Sequence, residues 1–443
     1  MRSCSSVLLP RQCLSENEMD RARQQPIAFI RKPNVIVLAN DRFNWQASRE
    51  VLKKIHRLVV VEAHPDVVLD LSVVKRIYPN GIVPVIAQID RLRAQGLVFR
   101  IIPPADHDLS TLCDRLGWLH YLDPAAFPKG TDAIASTALH KFQSDEDLNS
   151  LVNRAVEICL QQLLFAQGVP AAFEWTLNEI AGNVLVHAEA PGFIQVITYR
   201  ESGTLVFIVC DSGLGIPATI RRSFQNIGND IAALEYAIRA GVTSKPSYGQ
   251  GNGLAGSIAI AKTSGGAFSV TSGRARLKIL NENLQATDHY PPYEGTCVEM
   301  QLPVNKPIDL PKALWGHEPI PYTELKFSDE KGDQVFKLRE YASSFGNRIT
   351  GEKIRNLVRN LLIQHPGHRV KIVMEGIMVI SSSFADELFG KLALELGVVD
   401  FGRLLAFDQI NPVCKSLVDT AIQQRLAQGL GAKWPNDDRD DES

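Results

Sequence analysis

The run Leu205-Val206-Phe207-Ile208-Val209-Cys210 constrains this chain more than any other stretch. It is apolar throughout and of strand length. Asp211 stands at its end, and Gly213 and Gly215 follow. Glycines there permit backbone angles closed to other residues and let a ligand approach the main chain closely. A carboxylate in that position can accept an N–H from a ligand's amino group. The alternative is a tight turn opened by Asp-Ser-Gly.

The segments on either side narrow the choice. Before the strand, Ile180, Val184 and Ala188 recur at the spacing of one helix face. Glu179 and Asn183 share another face of that helix. An amide oxygen there can ligate Mg²⁺, and a carboxylate can orient or deprotonate water. A solvated or capping pair is the plainer alternative. After the strand, glycines stand at 249, 251, 253 and 256, ahead of an apolar helix through Leu254, Ile258 and Ile260. A glycine-rich turn running into a helix offers free N–H groups to phosphate oxygens. The chain has no G-x-x-x-x-G-K-[ST] sequence, and no G-x-G-x-x-G turn opens a βαβ unit. The three segments together read as a site for ATP and a divalent metal.

This stretch resembles the ATP-binding domain of the GHKL superfamily, shared by gyrase-type topoisomerases, Hsp90, histidine kinases and MutL. It is most similar to the compact bacterial kinase-like and anti-sigma-factor-like members. The helix motif E-x-x-x-N followed by H-A falls on Glu179, Asn183, His187 and Ala188. The motif D-x-G-x-G-[IL] falls on Asp211, Gly213, Gly215 and Ile216, and the last glycine motif on Gly249, Gly251, Gly253 and Leu254. The resemblance implies that Glu179 is the catalytic base where hydrolysis occurs, that Asn183 ligates Mg²⁺, and that Asp211 reads the adenine amino group. It makes residues 217–248 an ATP lid, and it places Thr296, after Gly295, in the adenine-side hydrogen-bond network. Lys245, just before the glycine turn, is either a phosphate contact or a solvated lid residue. Arg221 and Arg222 read as a solvated lid face, and His187 as a helix-end histidine rather than a phosphoacceptor.

The rest of the chain sets bounds. Its 443 residues suit two to four domains. The 47 basic and 49 acidic residues nearly cancel, which does not point to an extended nucleic-acid surface. Seven scattered cysteines form no C-x-x-C pair and suit a reducing cytoplasm. Cys210 and Cys297 lie in apolar runs and read as buried thiols. No apolar run reaches the ~18 residues of a membrane span, and the first residues lack a full secretory signal.

The expected architecture is multidomain α/β, a central GHKL-type sandwich with helices on one face of a mixed sheet, flanked by two small α/β domains. Residues 1–28 read as a mobile lead. Residues 29–125 read as a small α/β domain, faintly STAS-like, with strands near 35–38, 67–71 and 97–102 and helices over 49–62 and 84–94. Residues 134–164 are helical in pattern. The ATP-binding domain spans 140–305, with hairpins around Glu201-Ser202-Gly203 and between 267–271 and 275–279. Residues 306–331 read as a linker, within a stretch from Pro303 that holds five prolines. Residues 332–430 form a third unit, and 431–443 a disordered acidic tail.

That third unit resembles a bacterial STAS-like domain and, more distantly, anti-sigma-factor antagonists. The resemblance is carried by the strand Val370–Met374 and the following run Glu375 to Gly390. In the antagonists a serine at the helix start is phosphorylated, and Ser382 or Ser383 would match it. Phe384-Ala385-Asp386-Glu387 replaces their glycine-rich continuation, and Glu375 replaces their strand-end aspartate. Helix capping, by Ser383 with Asp386 or Glu387, is the competing reading. The first and third units share one pattern and read as divergent copies.

The leading function is an Mg²⁺-dependent ATP-binding regulatory switch that hydrolyses slowly through Glu179 and engages a protein partner through its flanking domains. One rival is a serine protein kinase of anti-sigma-factor type. Another is a nucleotide-sensing adaptor without turnover. A histidine kinase fits less well, because His140 lacks the usual acidic and arginine context. A homo-oligomer is compatible with each.

Overall fold

The computed structural model describes residues 34–129, 138–224, 226–239, 241–242, 252–280 and 283–429. The expected lead and acidic tail, and Lys245, Gly249 and Gly251, lie outside the described residues.

The first unit alternates strand and helix: β1 (Val35–Val37), α1 (Trp45–His56), β2 (Asp66–Asp70), α2 (Pro79–Ala94) and β3 (Val98–Ile102). The three strands are parallel, in the order β1-β2-β3. Helix α2 begins five residues before the expected start at Pro84. Pro79 occupies its first turn, where no N–H is needed, and Pro84 lies inside. Its middle is buried on all sides, from Gly81 to Ile89.

That burial follows from what α2 covers. The central unit comprises β4 (His140–Phe142), α3 (Asp145–Gln162), α4 (Val169–Asn183), β5 (Gly192–Tyr199), β6 (Thr204–Asp211), α5 (Ile216–Ser223), α6 (Asp230–Ala237), α7 (Gly253–Ser264), β7 (Ala267–Leu280) and β8 (Asn283–Pro303). Its sheet runs β4-β5-β6-β8-β7, and every neighbouring pair is antiparallel. The expected mixed sheet is thereby corrected. Hairpins join β5 to β6 and β7 to β8, and the helical connections from β4 to β5 and from β6 to β7 leave no parallel strands side by side. His140 sits on edge strand β4, not in a helix, and the helix expected from residue 134 begins at Asp145.

The central unit's own helices α3, α4 and α7 pack on one face of this sheet, and the first unit covers the other. Ile194, Val196, Phe207, Val209, Val298 and Met300 share a core with α3, α4 and α7. Phe193, Ile208, Cys210, Tyr293 and Cys297 belong to the core of the first unit. Alternation along β6 assigns odd residues to one core and even residues to the other, which is why the run reads as unbroken apolar sequence. Polar contacts fix the seating: buried Trp118 Nε1 donates to Gln195 Oε1 at 3.0 Å, and Gln88 Nε2 donates to the Glu294 carbonyl at 2.6 Å. Cys210 and Cys297 face each other across β6 and β8 as buried thiols, Sγ to Sγ 2.9 Å.

The hairpin at Glu201-Ser202-Gly203 is present, with Tyr199 opposite Thr204. The second expected hairpin is not. Residues 267–280 form one continuous strand whose partner is β8. Gly273, at φ 57°, kinks that strand opposite a register shift at Tyr293 instead of turning it back.

The third unit repeats the first unit's connectivity. β9 (Gln334–Lys337), α8 (Arg348–Gln364), β10 (Val370–Val373) and β11 (Leu405–Asp408) form a three-stranded parallel sheet in the order β9-β10-β11, closed by α9 (Pro412–Gly429). Its α8 docks on α3 through side-chain amides four residues apart. Asn356 donates to the Gln161 carbonyl, and Asn360 donates to the Leu160 and Leu163 carbonyls while accepting from Phe165 N–H. Gln364 Oε1 accepts from Gly168 N–H at 2.9 Å. These bonds satisfy backbone groups released where α3 ends and the chain turns into α4. Asn360 is fully buried. Asn360→Ala strands three backbone partners at once and is expected to cost about 2–4 kcal/mol, read as a lowered urea midpoint. An unchanged midpoint would show that this clamp adds nothing to stability.

Candidate functional site

Among the described residues, a cavity of about 520 Å³ opens between α4, the end of β6, the start of α7 and β8. That volume falls in the range of small-molecule sites. Helix α4 begins after Gly168, in left-handed backbone, with Pro170 in its first turn. Val169, Ala172, Phe173, Leu177 and Ile180 face the core. Trp175, Asn178, Glu179, Gly182 and Asn183 face the cavity. Spacings of three and four make that second set one stripe. Beyond Asn183 the helix widens to π-helical i→i+5 hydrogen bonding over Val184–Ala188, and Val186, His187 and Ala188 extend the lining. Such widened turns recur at functional sites.

Asp211 closes the deep end and is 2% exposed. Gly213 N–H donates to its Oδ1 at 2.9 Å. Burial pushes its carboxyl up to about 7, against the opposing pull of the Gly213 and Thr296 N–H groups. Gly295, at φ 94°, packs so tightly there that a β-carbon would stand 2.4 Å from the Asp211 carbonyl oxygen. Ser272, inside β7, ties β8 to the start of α5. Its Oγ donates to the Gly295 carbonyl at 2.6 Å and accepts from Ile216 N–H at 2.9 Å.

At the other end, burial raises the Glu179 carboxyl, and the charge of His317 opposes that rise. A β-carbon on Gly253 would come 2.4 Å from Glu179 Oε2, so the start of α7 and the carboxylate are in close contact. Asn252, Gly253 and Leu254 present the start of α7 to the same space.

The structure therefore gathers Glu179, Asn183, Asp211, Gly215, Ile216, Gly253, Leu254 and Thr296 around one cavity. Gly213 does not line it. Its missing side chain lets the turn lie against α4's end, where a β-carbon would be 1.9 Å from the Ala188 carbonyl oxygen. Arg221 pairs with Asp230, and Arg222 with Glu189, so both lid arginines are held in ion pairs. Sequence reading missed Trp175, Asn178 and Ser272. It also missed Leu314, Trp315 and His317, which lie in the stretch expected to be a linker. That stretch packs against the central unit, with Ile308, Leu310, Ala313 and Leu314 buried.

In the third unit the helix cap is Ser381, whose Oγ accepts from Phe384 N–H at 3.1 Å. Ser383 is hydrogen bonded to Ser381, and Ser382 is exposed. The expected cap partners act otherwise: Asp386 pairs with Arg425 and Arg348, and Glu387 with Arg355 and Lys391.

Residues 350–412 match the family described as STAS-like domain of unknown function (DUF4325). The third unit is thus a STAS-like domain. No curated protein matches the chain. Among the described residues, no helix is long and apolar enough to cross a membrane.

Proposed function

We propose that this chain is a GHKL-type, Mg²⁺-dependent ATP-binding regulatory protein whose slow hydrolysis resets its contacts with a protein partner. One observation carries the reading: Glu179, Asn183, Asp211, Gly253 and Thr296, drawn from four separate stretches of the sequence, line a single cavity. Asp211 accepts the adenine amino N–H beside Thr296. Asn183 offers its amide oxygen to the metal. Among the described residues no cluster of three or more His, Cys, Asp or Glu side chains could hold a metal. A metal with one protein oxygen and otherwise phosphate and water ligands is the usual arrangement for Mg²⁺. Bound there, Mg²⁺ supplies positive charge to the phosphate oxygens. Glu179, its carboxyl raised by burial, orients water and accepts its proton. Lys245, Gly249 and Gly251 belong to the same proposed site by sequence.

The STAS-like domain grips the connection that leads into α4. Nucleotide that favours one seating of α4 shifts the population of that seating, and the docked domain follows. The first unit, with its identical strand order, is proposed as a second STAS-like copy.

An exposed Ser382 within the matched domain supports a second reading, serine phosphorylation. Following the γ-phosphate of labelled ATP in the presence of Mg²⁺ separates the two. Free phosphate is expected. Label kept on Ser382 would establish the kinase reading instead, and tight binding without either product would leave a nucleotide-sensing adaptor.

A further inference from the structure

The chain that leads from β8 to the STAS-like domain builds one wall of the cavity. Leu310–Ala313 is a helical turn capped by Asp309. Leu314 is buried against α7, where a β-carbon on Gly256 would stand 2.8 Å from Leu314 Cδ2. The chain then reverses through Trp315 at φ 55° and Gly316 at φ 89°. His317 N–H closes the turn on the Leu314 carbonyl at 3.1 Å. Further on, Tyr322 N–H donates to Glu174 Oε1 on α4 at 2.9 Å. The arm is thus fixed to both helices that frame the cavity, and Leu314, Trp315 and His317 line the cavity between those anchors.

Trp315 is not explained by folding. Left-handed backbone is costly for a bulky side chain, on the order of 1 kcal/mol or more. At 59% exposure it recovers little by burial. Strain of this kind concentrates at ligand clamps. His317 acts electrostatically on Glu179, the carboxyl that packs against Gly253, so the arm meets the cavity beside the start of α7.

We propose that Trp315 and His317 read the terminal phosphate of the nucleotide, His317 donating to its oxygens and Trp315 covering that end of the cavity against water. This rests on the nucleotide reading above. The same arm continues into the STAS-like domain, so the presence of the third phosphate is reported directly to it.

The test is titration of the full chain with ADP and with the non-hydrolysable analogue AMP-PNP, each with Mg²⁺. The parent protein is expected to bind AMP-PNP more tightly than ADP. His317→Ala should weaken AMP-PNP about tenfold, as for a lost charge-assisted hydrogen bond, and leave ADP unchanged. Trp315→Phe should abolish a tryptophan fluorescence change that AMP-PNP produces and ADP does not. ADP binding serves as the control for folding. An unaltered AMP-PNP to ADP ratio in His317→Ala, with both nucleotides still bound, would overturn the role of the arm and leave the site intact. Failure of the parent protein to bind either nucleotide would overturn the nucleotide reading itself.

Discussion

Glu179→Gln is expected to slow ATP hydrolysis by roughly a hundredfold or more, the usual loss when a general base is removed. ATP affinity should stay close to that of the parent. The amide keeps the shape of the carboxylate beside Gly253, where a β-carbon would already be 2.4 Å from Oε2, so the start of α7 need not shift. What disappears is the ability to take a proton from water. Phosphate release at saturating ATP, together with a binding titration, separates the two effects. An unchanged rate would remove Glu179 from the base role.

Asp211→Asn is expected to weaken ATP binding by about ten- to a hundredfold, the loss of a hydrogen bond to a charged acceptor. Its pH signature is sharper. The unfolded carboxyl titrates at 3.8 and the folded one at about 7. Between those values the native protein holds a proton that the unfolded chain has released. The stabilising contribution is therefore complete below pH 3.8 and is lost as pH rises through about 7. A shift of three units corresponds to about 4 kcal/mol, and Asp211→Asn should flatten that part of the stability profile. An adenine amino group donating to Asp211 favours the ionised carboxyl. Nucleotide binding at pH 6 should then release a proton, detected by calorimetry in buffers of different ionisation heat. Absence of proton release would mean that the nucleotide does not engage this carboxylate.

The residues that were legible in the sequence are those whose chemistry and spacing coincide. Glu179 and Asn183 stand four apart on a helix, so their common face follows from helical geometry alone. Asp211 ends an apolar strand, and the strand supplies its burial. Local pattern could not reveal what covers the second face of the sheet. The even residues of β6 are as apolar as the odd ones, yet the helix that buries them, α2, lies more than a hundred residues earlier in the chain. Gly273 reads as a turn because glycine commonly makes one, while its place in a long kinked strand depends on a register shift in β8. Trp315 and His317 were hidden by their proline-rich surroundings, which suggest a spacer wherever tertiary contacts are unknown. Ser381 was passed over for Ser383 because three adjacent serines offer the same cap, and only the helix start decides among them.

The two-sided sheet also changes what counts as a separable piece of this protein. The expected boundary between residues 125 and 140 is not a boundary of the core. Phe193, Ile208, Cys210, Tyr293 and Cys297 are covered by residues that precede it. A chain cut at that boundary would carry a continuous apolar face into water, on the very strands that hold Asp211 and Thr296. The first unit is thus part of the shell behind the cavity's deep end, and a fragment meant to keep that end dry has to include it.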